Sequence, residues 1–305
     1  MNPYDVIILG GGPAGSNAAA RLAQFKRQVL LIDKGIGEGF TGSSARVQNF
    51  PGFPEGISGP KLMERFRQSV TAAGAEIKEG AIESMDVAAN PFTVTSQGGE
   101  SFATRAVILA TGAAFQGHLV PGERELRGAG VFSDAHLEGA LVAGGTVVVI
   151  GKTQEACKEA LLLARSANRV YLIVPSSKLD VPEGLVRQLQ DKKIEIIFSA
   201  SLKQVNGTDK VTSVTVLAAG TEKEIQADGV FSYTHDWQTV SAYLKDRVQM
   251  TEKGIVMVDD DMATSVKGIF ACGDIICGRP QLPAISAAQG ILAALSVEKY
   301  LGTLS

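Results

Sequence analysis

Two sets of residues in this chain have types and spacings that could do chemistry: a glycine-rich turn near the start and two cysteines near the end. Gly10-Gly11-Gly12-Pro13-Ala14-Gly15 follows an apolar run at residues 4–9, and Asp33 closes a second apolar run at residues 29–32. Gly10 permits a tight turn off a strand, Gly12 lets a pyrophosphate touch the backbone, and Gly15 lets the next helix pack closely. The phosphates would then lie at the helix N-terminus, where free N–H groups and the helix dipole favour negative charge. Asp33 is placed to accept hydrogen bonds from an adenosine ribose. The glycine pattern alone is weak and fits a simple turn. Strand, glycines, alanine-rich helix, second strand and acid in this order point to a bound dinucleotide.

Cys272 and Cys277 flank Gly273-Asp274. A short step around a glycine turn could bring two Cα atoms within the roughly 4.4 to 6.8 Å a disulfide needs. Such a pair would exchange two electrons by thiolate attack. The plain alternative makes Cys272 a small buried apolar residue. Cys157, inside a helical pattern and far from both in sequence, reads as packing.

The elements that must position these residues follow from periodicity. Leu62, Met63, Phe66 and Val70 recur at helical spacing, which predicts a helix over 60–73. Residues 35–44 form a loop, and the prolines at 51 and 54 exclude a helix over 49–54. Alternating runs over 82–102, broken at Asn90-Pro91 and Gly98-Gly99, predict a small antiparallel meander, followed by a buried strand and turn over 106–112. The nucleotide pattern then repeats: strand 146–150, helix 155–167, strand 170–174. Residues 254–258 and 269–272 read as strands, and 283–300 as an apolar, alanine-rich helix whose first turn can offer N–H groups to a ligand.

Composition sets limits. The 305 residues suffice for two domains, and 45% hydrophobic with 20% charged residues is ordinary globular usage. A net charge of -3 without a basic run argues against a nucleic-acid surface. No run reaches the roughly 18 apolar residues of a membrane span, and no basic leader precedes the first strand, so a cytoplasmic location is expected. The three cysteines suggest no structural disulfide framework. No metal site is expected.

The first glycine motif, Gln48-Asn49-Phe50-Pro51-Gly52-Phe53-Pro54 with Ile57 and Gly59, Ala110-Thr111-Gly112, and Phe270-Ala271-Cys272-Gly273-Asp274 resemble, in order and spacing, the FAD-domain motifs of short-type thioredoxin reductases. The resemblance covers nearly the whole chain. It implies an α/β fold of two Rossmann-like, three-layer ββα nucleotide-binding domains, the second inserted in the first. The FAD domain would comprise residues 1–115 and 238–305, and the inserted NADPH-type domain residues 116–237. It implies FAD contacts from Gly10, Gly12, Pro13, Ala14, Gly15, Asp33, Lys34, Ser44, Val47, Asn49, Ile82, Thr111, Gly112, Gly273 and Asp274, with Asp274 on the ribityl chain and Asn49 beside the ring. Gln281 and Leu282 stand where the family usually has Arg-Gln, so one flavin hydrogen bond is lost or replaced, with consequences for the ring's electronic tuning. A homodimer is also implied.

The chain departs from that pattern in three places. The second turn reads Gly151-Lys152-Thr153-Gln154-Glu155-Ala156, with Thr153 where the second glycine belongs; a branched Cβ there would meet the pyrophosphate. Val174-Pro175-Ser176-Ser177-Lys178 lacks the arginines that grip a 2′-phosphate, although Lys178 could make a point contact. Residues 131–137 hold no cysteine where the family carries its dithiol, and His136 there reads as an ordinary polar residue. These departures resemble the diflavin-linked disulfide oxidoreductases, in which a second FAD lies against the first. Tyr233 and the lone tryptophan, Trp237, would form an aromatic wall for it, or serve as core and hinge packing.

The expectation is therefore a flavin-linked thiol/disulfide oxidoreductase that works without pyridine nucleotide. It would have one or two FAD per subunit, no NADPH, and Cys272 and Cys277 as the redox pair acting on a thiol or disulfide partner. Two alternatives stand beside it: an NADPH-dependent reductase with a divergent site, and a non-enzymatic flavin-binding sensor.

Overall fold

The computed structural model describes all residues except 1, 2, 37, 38, 117, 118, 193, 234, 235, 245, 246, 277–281 and 305, and the backbone only of 114–116, 236–239 and 242. The chain divides into two compact units: Met1–Ser43 with Val47–Phe115 and Trp237–Ser305, and Ser44–Arg46 with Gln116–Asp236.

In the first unit, β1 (Tyr4–Leu9) leads into α1 (Pro13–Gln24) and β2 (Val29–Asp33), then α2 (Gly59–Ala73), β3 (Glu76–Glu79), β4 (Ile82–Asp86), β5 (Phe92–Ser96) and β6 (Ser101–Leu109). The sheet runs β3-β2-β1-β6-β5-β4 and also holds β17 (Ile269–Ala271), parallel to β6. Strand alternation sorts the core. Val6 and Ile8 face Ala18, Leu22, Ala293 and Val297 on the helical side, where α1 meets α6 (Pro283–Gly302). Ile7 and Leu9 face Met85, Val94, Tyr243 and Leu244 on the other.

The meander expected over 82–102 is present, but its last strand continues without a break into the run at 106–109, making β6 a single long strand. Ser101 to Thr104 pair with β5 while Ala106 to Leu109 pair with β1, so one strand serves both partners. The strand expected over 254–258 is only a bridge between Met250 and Val256.

A two-stranded sheet joins β7 (Ala113–Gln116) and β16 (Asp236–Thr239). The second unit contains β8 (Val131–Phe132), α3 (Ala135–Glu138), β9 (Thr146–Ile150), α4 (Gln154–Leu163), β10 (Arg169–Val174), α5 (Glu183–Asp191), β11 (Glu195–Phe198), β12 (Ala200–Gly207), β13 (Val211–Ala218), β14 (Thr221–Gln226) and β15 (Gly229–Ser232). Its parallel sheet is ordered β11-β10-β9-β15-β8. Val147 and Val149 pack on Ala156, Ala160 and Leu163 of α4, while Val148 and Ile150 pack on Val205, Val214 and Val216 of the antiparallel β12-β13-β14 sheet. The resulting helix, sheet and sheet are the three layers expected from the resemblance.

Among the described residues no helix is long and apolar enough to cross a membrane, and no cluster of three His, Cys, Asp or Glu is placed to hold a metal ion.

Candidate nucleotide sites

The turn after β1 is built as its residues require. Gly10 N–H donates to Ile32 O at 2.8 Å, closing the end of β1 on β2. Gly11 N–H donates to Asp33 Oδ1 at 2.8 Å, and Gly35 N–H donates to the other carboxylate oxygen at 3.1 Å. A Cβ at Gly15 would run into the carbonyl oxygen of Gly10, so only glycine lets α1 start this close to the strand. Gly12 is different: apart from its own chain neighbours, no described heavy atom lies within 4 Å of where its Cβ would stand. That open space over a helix N-terminus with Pro13 in its first turn is a cradle for a pyrophosphate, and it fits the phosphate-bearing part of FAD.

A second group of residues closes on the same turn. Gly273 packs so tightly on Ala14 that a Cβ there would lie 2.9 Å from the alanine methyl. Its N–H donates to Gln289 Oε1 at 2.9 Å, and Ser286 Oγ donates to Asp274 Oδ1 at 3.0 Å. Burial raises the Asp274 carboxyl, opposed by the Ser286 bond. Gly273 thus closes on the first turn of α1, and Asp274 follows it with its carboxylate held by Ser286. Thr111 Oγ1 donates to Val240 O at 2.6 Å, fixing the strand end at Gly112.

Sequence reasoning missed Ser286 and Gln289. Their signal was available: two polar residues one helical turn apart in the otherwise apolar first half of α6. It also missed buried Ser16, whose hydroxyl donates to Gly11 O at 2.8 Å and stiffens the turn.

The remaining expected contacts scatter. Lys34 is exposed after β2, and Asn49 is exposed in the loop. Val47 is buried and bridges Ile57 through two backbone bonds of 2.7 and 2.9 Å. Ser44 is buried and falls with the second unit. Ile82 packs against the sheet cluster of Met85 and Val94. Leu282 is the N-cap residue of α6, with no side-chain cap. Gln281 and Cys277 lie outside the described residues, as does the side chain of Trp237.

Cys272 is fully enclosed among Ala14, Ala18, Ile108 and Phe270. Burial pushes its thiol up to about 12, so it is protonated at neutral pH and lacks the thiolate that exchange needs. Cys157 is equally enclosed, its thiol pushed up to about 11. Tyr233 does not form an exposed aromatic wall. It is buried, and its hydroxyl donates to Glu159 Oε2 at 3.1 Å, while the same oxygen accepts from Ala135 N–H at 2.8 Å. Glu159 Oε1 lies 3.6 Å from exposed His136 Nε2.

The second turn repeats the first in register. Gly151 N–H donates to Ile173 O at 3.0 Å, as Gly10 does to Ile32. A Cβ at Gly151 would sit 2.7 Å from that of Ala156, so close packing of helix on strand is kept. Thr153 is the N-cap of α4, and its hydroxyl accepts from Ala156 N–H at 3.3 Å. Its side chain therefore turns back on its own helix. Lys152 is exposed beside the helix N-terminus.

The pyridine nucleotide-disulphide oxidoreductase family model matches residues 4–290. Thioredoxin reductase of Aquifex aeolicus is 32% identical over 301 residues, covering 98% of this chain and 93% of that protein. Thioredoxin reductase of Bacillus subtilis is 33% identical over 305 residues, covering 99% and 96%. The crystal structure of thioredoxin reductase from Streptococcus pyogenes superposes with a TM-score of 0.90 at 28% identity, over 98% of each chain.

These matches overturn the expectation of an enzyme that works without pyridine nucleotide, and with it the absence of NADPH and the second FAD. That expectation rests on Thr153 in place of the second glycine and on the missing arginines after β10. Thr153 turns its hydroxyl onto its own helix while its Cβ stays where Gly12 is bare, so it is the matches over nearly the whole chain that carry the correction. The fold and both turns place this flavin-linked disulfide oxidoreductase in a family named for its coenzyme: the chain belongs to the pyridine nucleotide-disulphide oxidoreductases.

Proposed function

We propose that this chain carries electrons from a pyridine nucleotide through FAD to a disulfide. FAD is assigned to residues 1–115 and 238–305, and the coenzyme to residues 116–237. The observation that carries the flavin assignment is the cradle at Gly12, flanked by Asp33 held on Gly11 and by Asp274 held on Ser286. FAD, when bound, supplies a carrier that takes an electron pair from one partner and passes it to another.

The chain's own residues do the placing. The α1 N-terminus and the bare backbone at Gly12 receive the pyrophosphate, Asp33 orients the adenosine ribose, and Asp274 orients the ribityl hydroxyls. On the second unit, the α4 N-terminus and Lys152 receive the coenzyme phosphates, with Thr153 holding the first turn of that helix.

The relatives named as thioredoxin reductases support a thioredoxin-type protein disulfide as acceptor; a cytoplasmic location and a homodimer are part of the same proposal. Because Cys157 and Cys272 are enclosed, contact with that disulfide is assigned to Cys277. Releasing and counting flavin from the purified protein tests the reading. One FAD per chain is expected, and none or two would overturn it.

A further inference from the structure

The two turns carry equivalent hydrogen bonds, Gly10 to Ile32 and Gly151 to Ile173, so the residue that follows each acceptor is also equivalent: Asp33 in the first unit, Val174 in the second. In open α/β sheets this position reads the 2′ substituent of the adenosine ribose. A carboxylate there accepts from a 2′-hydroxyl and repels a 2′-phosphate, while a neighbouring arginine fork grips the phosphate. Val174 can do neither, and its side chain is fully buried on the helical side of the sheet with Val149 and Leu172.

The next residues add little. Pro175 has no N–H to donate. Ser176 Oγ donates to Lys178 O at 2.6 Å, and Ser176 O accepts from Ser199 N–H at 3.0 Å, so both groups are already engaged. Exposed Ser177 and Lys178 remain. A lysine on a solvated loop is a flexible, strongly hydrated point charge rather than a fork, and salt screens it.

We infer that the coenzyme site of the second unit barely reads the 2′ position. It takes pyridine nucleotides with and without the 2′-phosphate, and Lys178 favours the phosphorylated form by about tenfold or less. This rests on the function proposed above.

The test is calorimetric titration of the flavin-loaded protein with 2′,5′-ADP and with 5′-AMP, followed by anaerobic reduction of the flavin by NADPH and by NADH. Affinities of the two fragments within about tenfold are expected. That margin should vanish in Lys178→Ala and fade with added salt. Ser177→Arg, at an exposed position, should raise affinity for 2′,5′-ADP by tenfold or more and leave 5′-AMP unchanged. A hundredfold preference for either fragment in the unaltered protein would overturn this inference while leaving the proposed function intact. Failure of both coenzymes to reduce the flavin would remove the proposed function and this inference together.

Discussion

The backbone N–H of Gly11 donates to the Asp33 carboxylate at 2.8 Å, tying the end of the second strand to the middle of the glycine turn. One side chain therefore shapes the turn that receives the phosphates and presents the acceptor for the ribose. Asp33→Ala removes both functions. Hydrogen bonds to charged groups contribute about 1.5 to 3 kcal/mol, so FAD affinity should fall by roughly tenfold or more. Titrating the flavin-free variant with FAD checks this, and unchanged affinity would refute the role given to Asp33.

Gly290 of α6 lies against the backbone of Ala14, and a Cβ there would strike the alanine carbonyl oxygen. Gly290→Ala must therefore push α6 from α1. Overpacking of this kind costs about 1 to 3 kcal/mol. A lower denaturation midpoint with weakened flavin retention is expected, because Ser286 and Gln289 on the same helix hold Gly273 and Asp274.

Much of the first site was legible because its chemistry demands particular residue types at fixed spacing. Gly10, Gly12, Gly15 and Asp33 have no common substitutes for their combined roles. Thr153 was harder: the residue type suggests an obstruction, and only the direction of its side chain reveals a cap. Ser286 and Gln289 act through contacts with residues 12 and 16 positions earlier, which their helical spacing alone does not identify. The long β6 reads as two segments in the sequence because its two halves pair with different neighbours and show different burial.

Cys272 should behave as a packing residue. With its thiol pushed up to about 12 by burial, it should resist alkylation in the native protein at pH 8 and react only after denaturation. Cys272→Ser should retain flavin reduction and reoxidation by disulfides, whereas Cys277→Ser should lose the latter. Rapid native labelling of Cys272, found by peptide mass analysis, would restore it as a reactive thiol.

Arg27, just beyond α1, pairs with Glu298 of α6 through bonds of 2.8 and 2.7 Å. The hydrogen bond to Arg27 holds the Glu298 carboxyl below its ordinary value. Folding therefore favours the charged form, and the pair's stabilisation is present above the unfolded carboxyl's value and lost as pH falls through the folded one. Solvent screening limits it to at most about 1 kcal/mol. Glu298→Gln should lower stability in urea at pH 7 by up to that amount, and the difference should disappear near pH 3.

The transfer of electrons from a pyridine nucleotide to flavin within this chain is tested most directly by rapid anaerobic mixing of the FAD-loaded protein with NADPH or NADH while the flavin absorbance is followed. Prompt bleaching, reversed by a protein disulfide, is the result expected. A flavin that stays oxidised with both coenzymes, yet is reduced by dithionite, would contradict the account.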